Sequence, residues 1–267
     1  MPAKLGGLLW LYSKGSTIPS KSHTHRELEV NLTLTGSAVY LLNGRRIPMH
    51  PGTLLWLFPA QEHLLIERSA EFEMWVIVWK PALIKKLNLH SPNKTLLLND
   101  PGHELGRLLK PDAALTIDQL CRELQQHSVS PDLFNSGLSY LLLQCWQNYL
   151  AGSEAPRGNR VHPAVQRAAH YMAKEPIHDR TDTLAAACGL SRTRLSRLFK
   201  EQMGVSLSEF RSQQRLHRFM AIITRNKKYT LLDAALDSGF GSYAQFHRTF
   251  VLHMGKPPSD YFAGKIP

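Results

Sequence analysis

Hydrophobic positions change period along the chain. From residue 24 to 79 they alternate or run in short blocks. Val30, Leu32 and Leu34 alternate with Glu29, Asn31 and Thr33, and Ala38 to Leu42, Leu54 to Phe58 and Phe72 to Trp79 form further short runs. That texture predicts strands. Asn43-Gly44 and Pro51-Gly52 punctuate it. Asn-Gly is a strong hairpin signal because both residues tolerate positive φ. Several close-spaced short strands predict a small antiparallel barrel or sandwich.

From residue 81 to 151 the period becomes helical. Leu138, Leu141, Leu142, Cys145, Trp146 and Tyr149 share one broad stripe within 135–150, which either packs on the barrel or forms a dimer seam. Glu154 to Arg160 reads Glu-Ala-Pro-Arg-Gly-Asn-Arg, small, polar and turn-rich. It suggests a linker over 154–161, between a domain over 1–153 and another over 162–267.

The second domain is expected to be all-helical and contains an internal repeat. Leu184 to Ser191 (Leu-Ala-Ala-Ala-Cys-Gly-Leu-Ser) is echoed by Ala234 to Ser242 (Ala-Ala-Leu-Asp-Ser-Gly-Phe-Gly-Ser). Leu195-Ser-Arg197-Leu-Phe199 is echoed by Phe246-His-Arg248-Thr-Phe250, and both copies close on Met-Gly. The offset is 50 residues up to the turn glycine and 51 after it, because Gly241 adds a residue. Small residues let a second helix cross the first closely. Gly189 and Gly239 suit a left-handed helix stop, and Ser191 and Ser242 suit N-caps. Each copy reads as a helix-turn-helix.

Periodicity assigns the outward face of each second helix. In the first copy it carries Thr193, Ser196, Arg197 and Lys200, flanked by Arg192 and Arg194. In the second it carries Ala244, His247, Arg248 and Val251, with Tyr243 and Gln245 adjacent. Arginine is the usual bidentate partner of guanine. The first copy is therefore expected to read bases, and the second to make more shape or phosphate contacts. Ser191 and Ser242 complete the candidate DNA contacts. Between the copies, Leu207, Phe210, Leu216, Phe219, Met220 and Ile223 predict a linker helix over 206–224. A 19-residue helix spans about 28 Å, near the roughly 34 Å between adjacent major-groove segments. Arg211, Arg215 and Arg218 on it are expected either to meet phosphates or to serve solubility.

Charge supports this division. The 267 residues carry a net charge of +11. Residues 1–155 hold 14 Lys+Arg against 13 Asp+Glu, and residues 156–267 hold 18 against 8. Such a footprint points to a polyanion, nucleic acid before an anionic membrane. No apolar run reaches the ~18 residues of a membrane span. The patch Leu8 to Tyr12 is too short for a signal-peptide core. Cys121, Cys145 and Cys188, odd in number and without metal-pair spacing, read as free thiols of a reducing cytoplasm.

The repeat, with Gly204, Gly239-Phe240, Arg248-Thr-Phe250 and the closing Gly255-Lys-Pro-Pro-Ser-Asp-Tyr261, resembles the DNA-binding domain of AraC/XylS transcription regulators across about 163–263. Leu207 replaces the family's usual Pro, and Val251 a common Lys. The first domain resembles the small cupin barrel of such regulators. His23-Thr-His25 with Glu29 and Gly36 is similar to the first cupin motif. Gly52, Pro59 and His63 are similar to the second, with Gln61 where a Gly would sit. His23, His25 and Glu29 share parity, so one strand would aim all three to one face.

The resemblance implies an α+β multidomain chain. It has an N-terminal cupin-like β-barrel with accessory helices and a C-terminal all-α domain of two helix-turn-helix motifs joined by a linker helix. His23, His25, Glu29, His63, Trp56 and Trp75 are the candidate effector-pocket residues, and Trp10 a candidate cover for the barrel mouth. His23, His25, Glu29 and His63 are candidate ligands for Zn, Ni, Mn or Fe, although no cofactor is required. The implied partners are double-stranded operator DNA, a small-molecule effector, a second copy of the chain and RNA polymerase. A cupin-type metalloenzyme with an accessory basic domain is the alternative. The absence of a phosphate-binding loop or nucleophile elbow favours a regulator without enzymatic activity.

Overall fold

The computed structural model describes residues 4–13, 25–91, 93–103, 105–127, 130–156, 158–174, 181–225 and 229–263. They divide into two compact units, one running through Asn159 and the other from Arg160.

Strands in the first unit are β1 (Gly7–Tyr12), β2 (Leu28–Thr35), β3 (Ala38–Leu42), β4 (Arg45–Met49), β5 (Thr53–Leu57), β6 (His63–Arg68), β7 (Glu73–Trp79), β8 (Leu105–Leu108) and β9 (Ser153–Glu154). They form a six-stranded sheet, β1-β7-β2-β5-β8-β9, and a three-stranded sheet, β4-β3-β6. Their strand pairs are antiparallel. The Asn43-Gly44 turn has φ of 48° and 75° and sets the β3–β4 register, Leu42 opposite Arg45. Helices α1 (Pro81–Lys86), α2 (Pro111–Gln126) and α3 (Pro131–Ala151) follow the main strands.

Strand alternation gives the large sheet two different buried faces. One bears Val30, Leu32, Leu54, Trp56, Trp75, Ile77 and Trp79. It forms a single core with Ile117, Cys121 and Leu124 of α2 and the whole apolar stripe of α3. The stripe over 135–150 is therefore core, and its reading as a dimer seam is set aside because the sheet already covers it. Trp79 Nε1–H donates to the Leu138 carbonyl at 2.9 Å, and Trp75 Nε1–H to Asp118 at 2.7 Å. The other face carries Glu29, Asn31 and Thr33 toward the small sheet, where Asn31 Nδ2 donates to the Tyr40 hydroxyl at 3.1 Å. These three residues are also buried.

The segment expected as a linker begins on the first unit's sheet. Glu154 pairs with Arg107 in β8–β9, and the Asn159 carbonyl accepts from Arg46 N–H at 3.2 Å.

In the second unit, α4 (Pro163–Lys174) precedes α5 (Thr181–Ala187) and α6 (Arg192–Met203). Then come α7 (Leu207–Arg225), α8 (Leu231–Asp237), α9 (Tyr243–Met254) and α10 (Pro258–Phe262). Gly189 and Gly239 stop α5 and α8 at φ of 73° and 97°. Helix α7 opens without proline. Ser206 N–H donates to Glu209 at 2.7 Å and Glu209 N–H to the Ser206 hydroxyl at 3.2 Å, a reciprocal capping box. The apolar positions Leu207, Phe210, Leu216, Phe219, Met220 and Ile223 are all buried. So are Arg211 and Arg215, at 8% and 4% exposure. They do not form the phosphate-facing or solubilising surface expected of them, because α7 packs against α4 and α6 as well as α8 and α9. Phe219 anchors the second copy, its ring 4.3 Å from Phe246 and 6.0 Å from both Phe250 and Phe262.

Candidate nucleic-acid interface and barrel site

Each copy of the repeat turns a helix N-terminus and a polar face to solvent. Ser191 accepts from Arg194 N–H at 3.4 Å, and Ser242 from Gln245 N–H at 3.2 Å. These hydroxyls cap α6 and α9, satisfying amides that would otherwise be orphaned. Leu195 and Phe199 in α6, and Phe246 and Phe250 in α9, are fully buried, which locks the rotation of both helices. Arg192, Thr193, Arg194, Arg197 and Lys200 are exposed, with Ser196 half-buried. The corresponding face of α9 exposes Tyr243, Ala244 and Arg248, with His247 and Val251 half-buried. Gln245 is turned back: its side-chain carbonyl accepts from Gly241 N–H at 3.0 Å. The residue that lengthens the second turn is thus held by a side chain expected to contact DNA. Arg197 and Arg248 stand at matching positions on their helices.

In the barrel, the structure brings His25, Glu29 and His63 together, one ligating atom of each within 4.8 Å of the others. His25 precedes β2, Glu29 lies on β2, and His63 opens β6 in the other sheet. His25 Nε2 is 3.1 Å from Glu29 Oε2, and its Nδ1 is 2.9 Å from the Glu27 carbonyl. His63 Nδ1 is 3.0 Å from the Gln61 carbonyl. The two rings meet edge-on at 5.1 Å. Burial pushes the Glu29 carboxyl up, but His25, the charge of His63 and the Asn31 amide outweigh it and hold the group below its ordinary range. Burial opposes protonation of His25, yet Glu29 and the Glu27 carbonyl keep its affinity for a proton above the ordinary histidine value.

The fourth expected ligand, His23, lies outside the described residues. Trp56 and Trp75 do not join the site. They sit on the helix-covered face of the sheet, opposite in parity to Glu29, because that face offers the apolar volume of α2 and α3. Trp10, mid-strand on the edge strand β1, is 36% exposed. Residues that the sequence reading missed take the place of the tryptophans. Asn31, Thr33, Tyr12 and Tyr40 line the barrel interior with buried polar groups. Asn31 Oδ1, Thr33 Oγ1 and the Tyr12 hydroxyl make no hydrogen bond among the described residues. Burial pushes the Tyr12 hydroxyl up to about 12, against the pull of Arg68 stacked 5.3 Å above its ring. The signal was present in the parity of β2, since whatever aims Glu29 inward aims Asn31 and Thr33 inward too.

A polar-lined barrel in one unit and two capped, exposed helix-turn-helix faces in the other define a DNA-binding transcription regulator with a ligand-binding domain. Comparison with known proteins agrees. Residues 184–264 match the model of a helix-turn-helix domain, and residues 15–143 that of an AraC-like ligand binding domain. The chain belongs to the AraC/XylS family of transcription regulators. It is 26% identical over 243 residues to the arabinose operon regulatory protein of Escherichia coli K12, covering 88% of this chain and 80% of that protein. It is 32% identical over 80 residues to the regulatory protein SoxS of Salmonella typhimurium LT2, covering 30% of this chain and 74% of that protein. The unsaturated fatty acid-bound ToxT of Vibrio cholerae aligns over 100% of both chains at 16% identity, with a TM-score of 0.44. Among the described residues, no helix is long and apolar enough to cross a membrane.

Proposed function

We propose that the chain reads operator DNA through α6 and α9 and that a small molecule bound in the barrel controls that reading. Arg192, Arg194 and Arg197 with Thr193, Ser196 and Lys200 supply base and phosphate contacts from α6. Arg248, His247 and Tyr243 supply chiefly shape and phosphate contacts from α9. The observation that carries the reading is the matched exposure of Arg197 and Arg248 on two capped helices, in the half of the chain that holds nearly all the excess positive charge.

In this reading the effector is received in the barrel interior, where Glu29, Asn31, Thr33, Tyr12 and Tyr40 offer hydrogen-bonding groups beside His25 and His63. For the effector to act, it must bind two states of the chain with different affinity. The working species in this reading is a cytoplasmic homodimer that engages RNA polymerase at a promoter. Its domains run over 1–153 and 162–267, and no catalytic step is assigned to it. Selection of bound fragments from the source genome tests the reading. The expected result is enrichment of discrete sites, with binding ~10³-fold or more above random duplex. Equal affinity for all duplexes, controlled by salt alone, would overturn it.

A further inference from the structure

Buried polar groups also gather at the end of the barrel away from the histidines. Tyr12 of β1 and Thr33 of β2 both stand opposite Met74 of β7. Directly opposed residues share a face of the sheet, so the two hydroxyls enter the interior on either side of the Met74 side chain. Asn31 lies on the same face of β2, next in parity to Thr33. Tyr12, Thr33 and Asn31 are at most 1% exposed. The Tyr12 hydroxyl, Thr33 Oγ1 and Asn31 Oδ1 make no hydrogen bond among the described residues. Buried polar atoms are nearly always paired, so three unpaired ones in one place call for a bound group that pairs them.

A cation stands over them. Arg68 of β6 is opposite Ala38 of β3, which shares its face with Tyr40. The Tyr40 hydroxyl reaches Asn31 and Met74 across the barrel, so Arg68 also faces the interior, from the small sheet. Its guanidinium lies 5.3 Å from the centroid of the Tyr12 ring. Arg68 is half-buried and has no acidic partner among the described residues, its neighbour Glu67 being paired with Arg46. A guanidinium stacked on a ring keeps its in-plane N–H fork available.

These groups define a ligand. Arg68 offers the fork and one positive charge, and the Tyr12 and Thr33 hydroxyls can each donate. Asn31 Oδ1 only accepts, because its amide hydrogens already serve Glu29 Oε1 at 2.9 Å and the Tyr40 hydroxyl at 3.1 Å. One cation and two hydroxyl donors suit a carboxylate, and the acceptor suits a hydroxyl beside it. The Glu29 carboxylate does not oppose that charge. It lies four residues from Thr33 along β2, about 13 Å, and is paired with His25 at 3.1 Å. Met74 occupies the space between the two hydroxyls, and an unbranched thioether repacks readily around an added group.

We propose that Arg68, Tyr12 and Thr33 bind the carboxylate of a small hydroxy-acid effector and that Asn31 Oδ1 accepts from its hydroxyl. This inference rests on the barrel being the sensing domain, and it gives that domain a ligand class and a subsite apart from the histidines.

The experiment uses the full-length chain and matched pairs of hydroxy acid and alcohol: lactate with propylene glycol, gluconate with glucitol, mandelate with phenylethylene glycol. Inorganic phosphate serves as a further anion. The unfolding midpoint is read first and affinity is then measured by calorimetry. At least one acid should raise the midpoint while its alcohol and phosphate do not. Arg68→Gln should weaken binding of that acid by at least ~10-fold, and Arg68→Lys should weaken it less. Thr33→Val and Tyr12→Phe should each weaken it by ~10-fold, yet leave the midpoint of the chain alone unchanged or higher, because each removes a buried hydroxyl that no protein group satisfies. A lower midpoint in both would show the hydroxyls to be structural and overturn the assignment. Absence of any stabilising acid, equal stabilisation by its alcohol or by phosphate, or full affinity in Arg68→Gln would overturn the site. An acid that binds through Arg68 without changing operator binding would overturn effector control and leave the site standing. Control of operator binding by neutral compounds alone would overturn this inference and leave the regulator reading intact.

Discussion

The two helix-turn-helix copies share a backbone plan and differ in surface. In α6 the outward face is Arg192, Thr193, Arg194, Ser196, Arg197 and Lys200. At the matching positions α9 has Tyr243, Ala244, Gln245, His247, Arg248 and Val251. Only the arginine at 197 and 248 is retained. The inward faces diverge in the opposite sense. Phe199 of the first copy packs edge-on against Phe210 of α7 at 5.4 Å, whereas Phe246 and Phe250 join Phe219, Phe240, Tyr261 and Phe262 in a larger aromatic cluster. One copy has elaborated its contact surface and the other its core. The shared scaffold thus carries a more polar outward face in the first copy and a larger aromatic core in the second.

That contrast can be broken most forcefully in the core. Phe219→Ala should cost about 3–5 kcal/mol, read by denaturant unfolding, since it empties the centre of the second copy's cluster. Next comes Arg197→Ala. Loss of a bidentate base contact is worth ~1–3 kcal/mol of discrimination, and competition between selected operator and random duplex should show it. Arg248→Ala in the same assay should weaken both duplexes alike, and a selective loss there would place base reading in both copies. At the level of a single charge, Lys200→Ala should lower the salt slope of binding by about one, and Val251→Lys should raise it by about one. The smallest effects concern the caps. Ser191→Ala and Ser242→Ala should each cost ~1 kcal/mol in thermal unfolding, equal in the two copies because the caps are equivalent.

The sequence made the repeat readable because helix faces, turn glycines and cap serines recur at a fixed offset and need no long-range information. The barrel was readable as short strands around Asn43-Gly44. Its edge was not: β1 was a bare apolar patch, and β8 and β9 are short strands defined only by their pairing partners. The tryptophans show the same limit. Parity along one strand could not relate Trp56 on β5 to Glu29 on β2, and only the pairing of Trp56 with Val30 puts them on opposite faces. Arg211 and Arg215 carried charge that suggested a surface, and only the packing of α7 against α4 and α6 placed them inside. His25, Glu29 and His63 were recoverable because a motif spacing substitutes for the contact between two sheets.

Helix α7 has a consequence beyond its length. It is packed against both copies, so it fixes their angular phase as well as their separation. Each residue inserted into it would turn the second recognition face by about 100°, while each base pair inserted between half-sites turns DNA by only about 35°. One inserted residue is matched in angle by three base pairs, about 105°, but these add about 10 Å of rise against about 1.5 Å for the residue, so phase and separation are not restored together. In the proposed reading of DNA through α6 and α9, the torsional register of this rod sets the spacing of the two groove segments they meet.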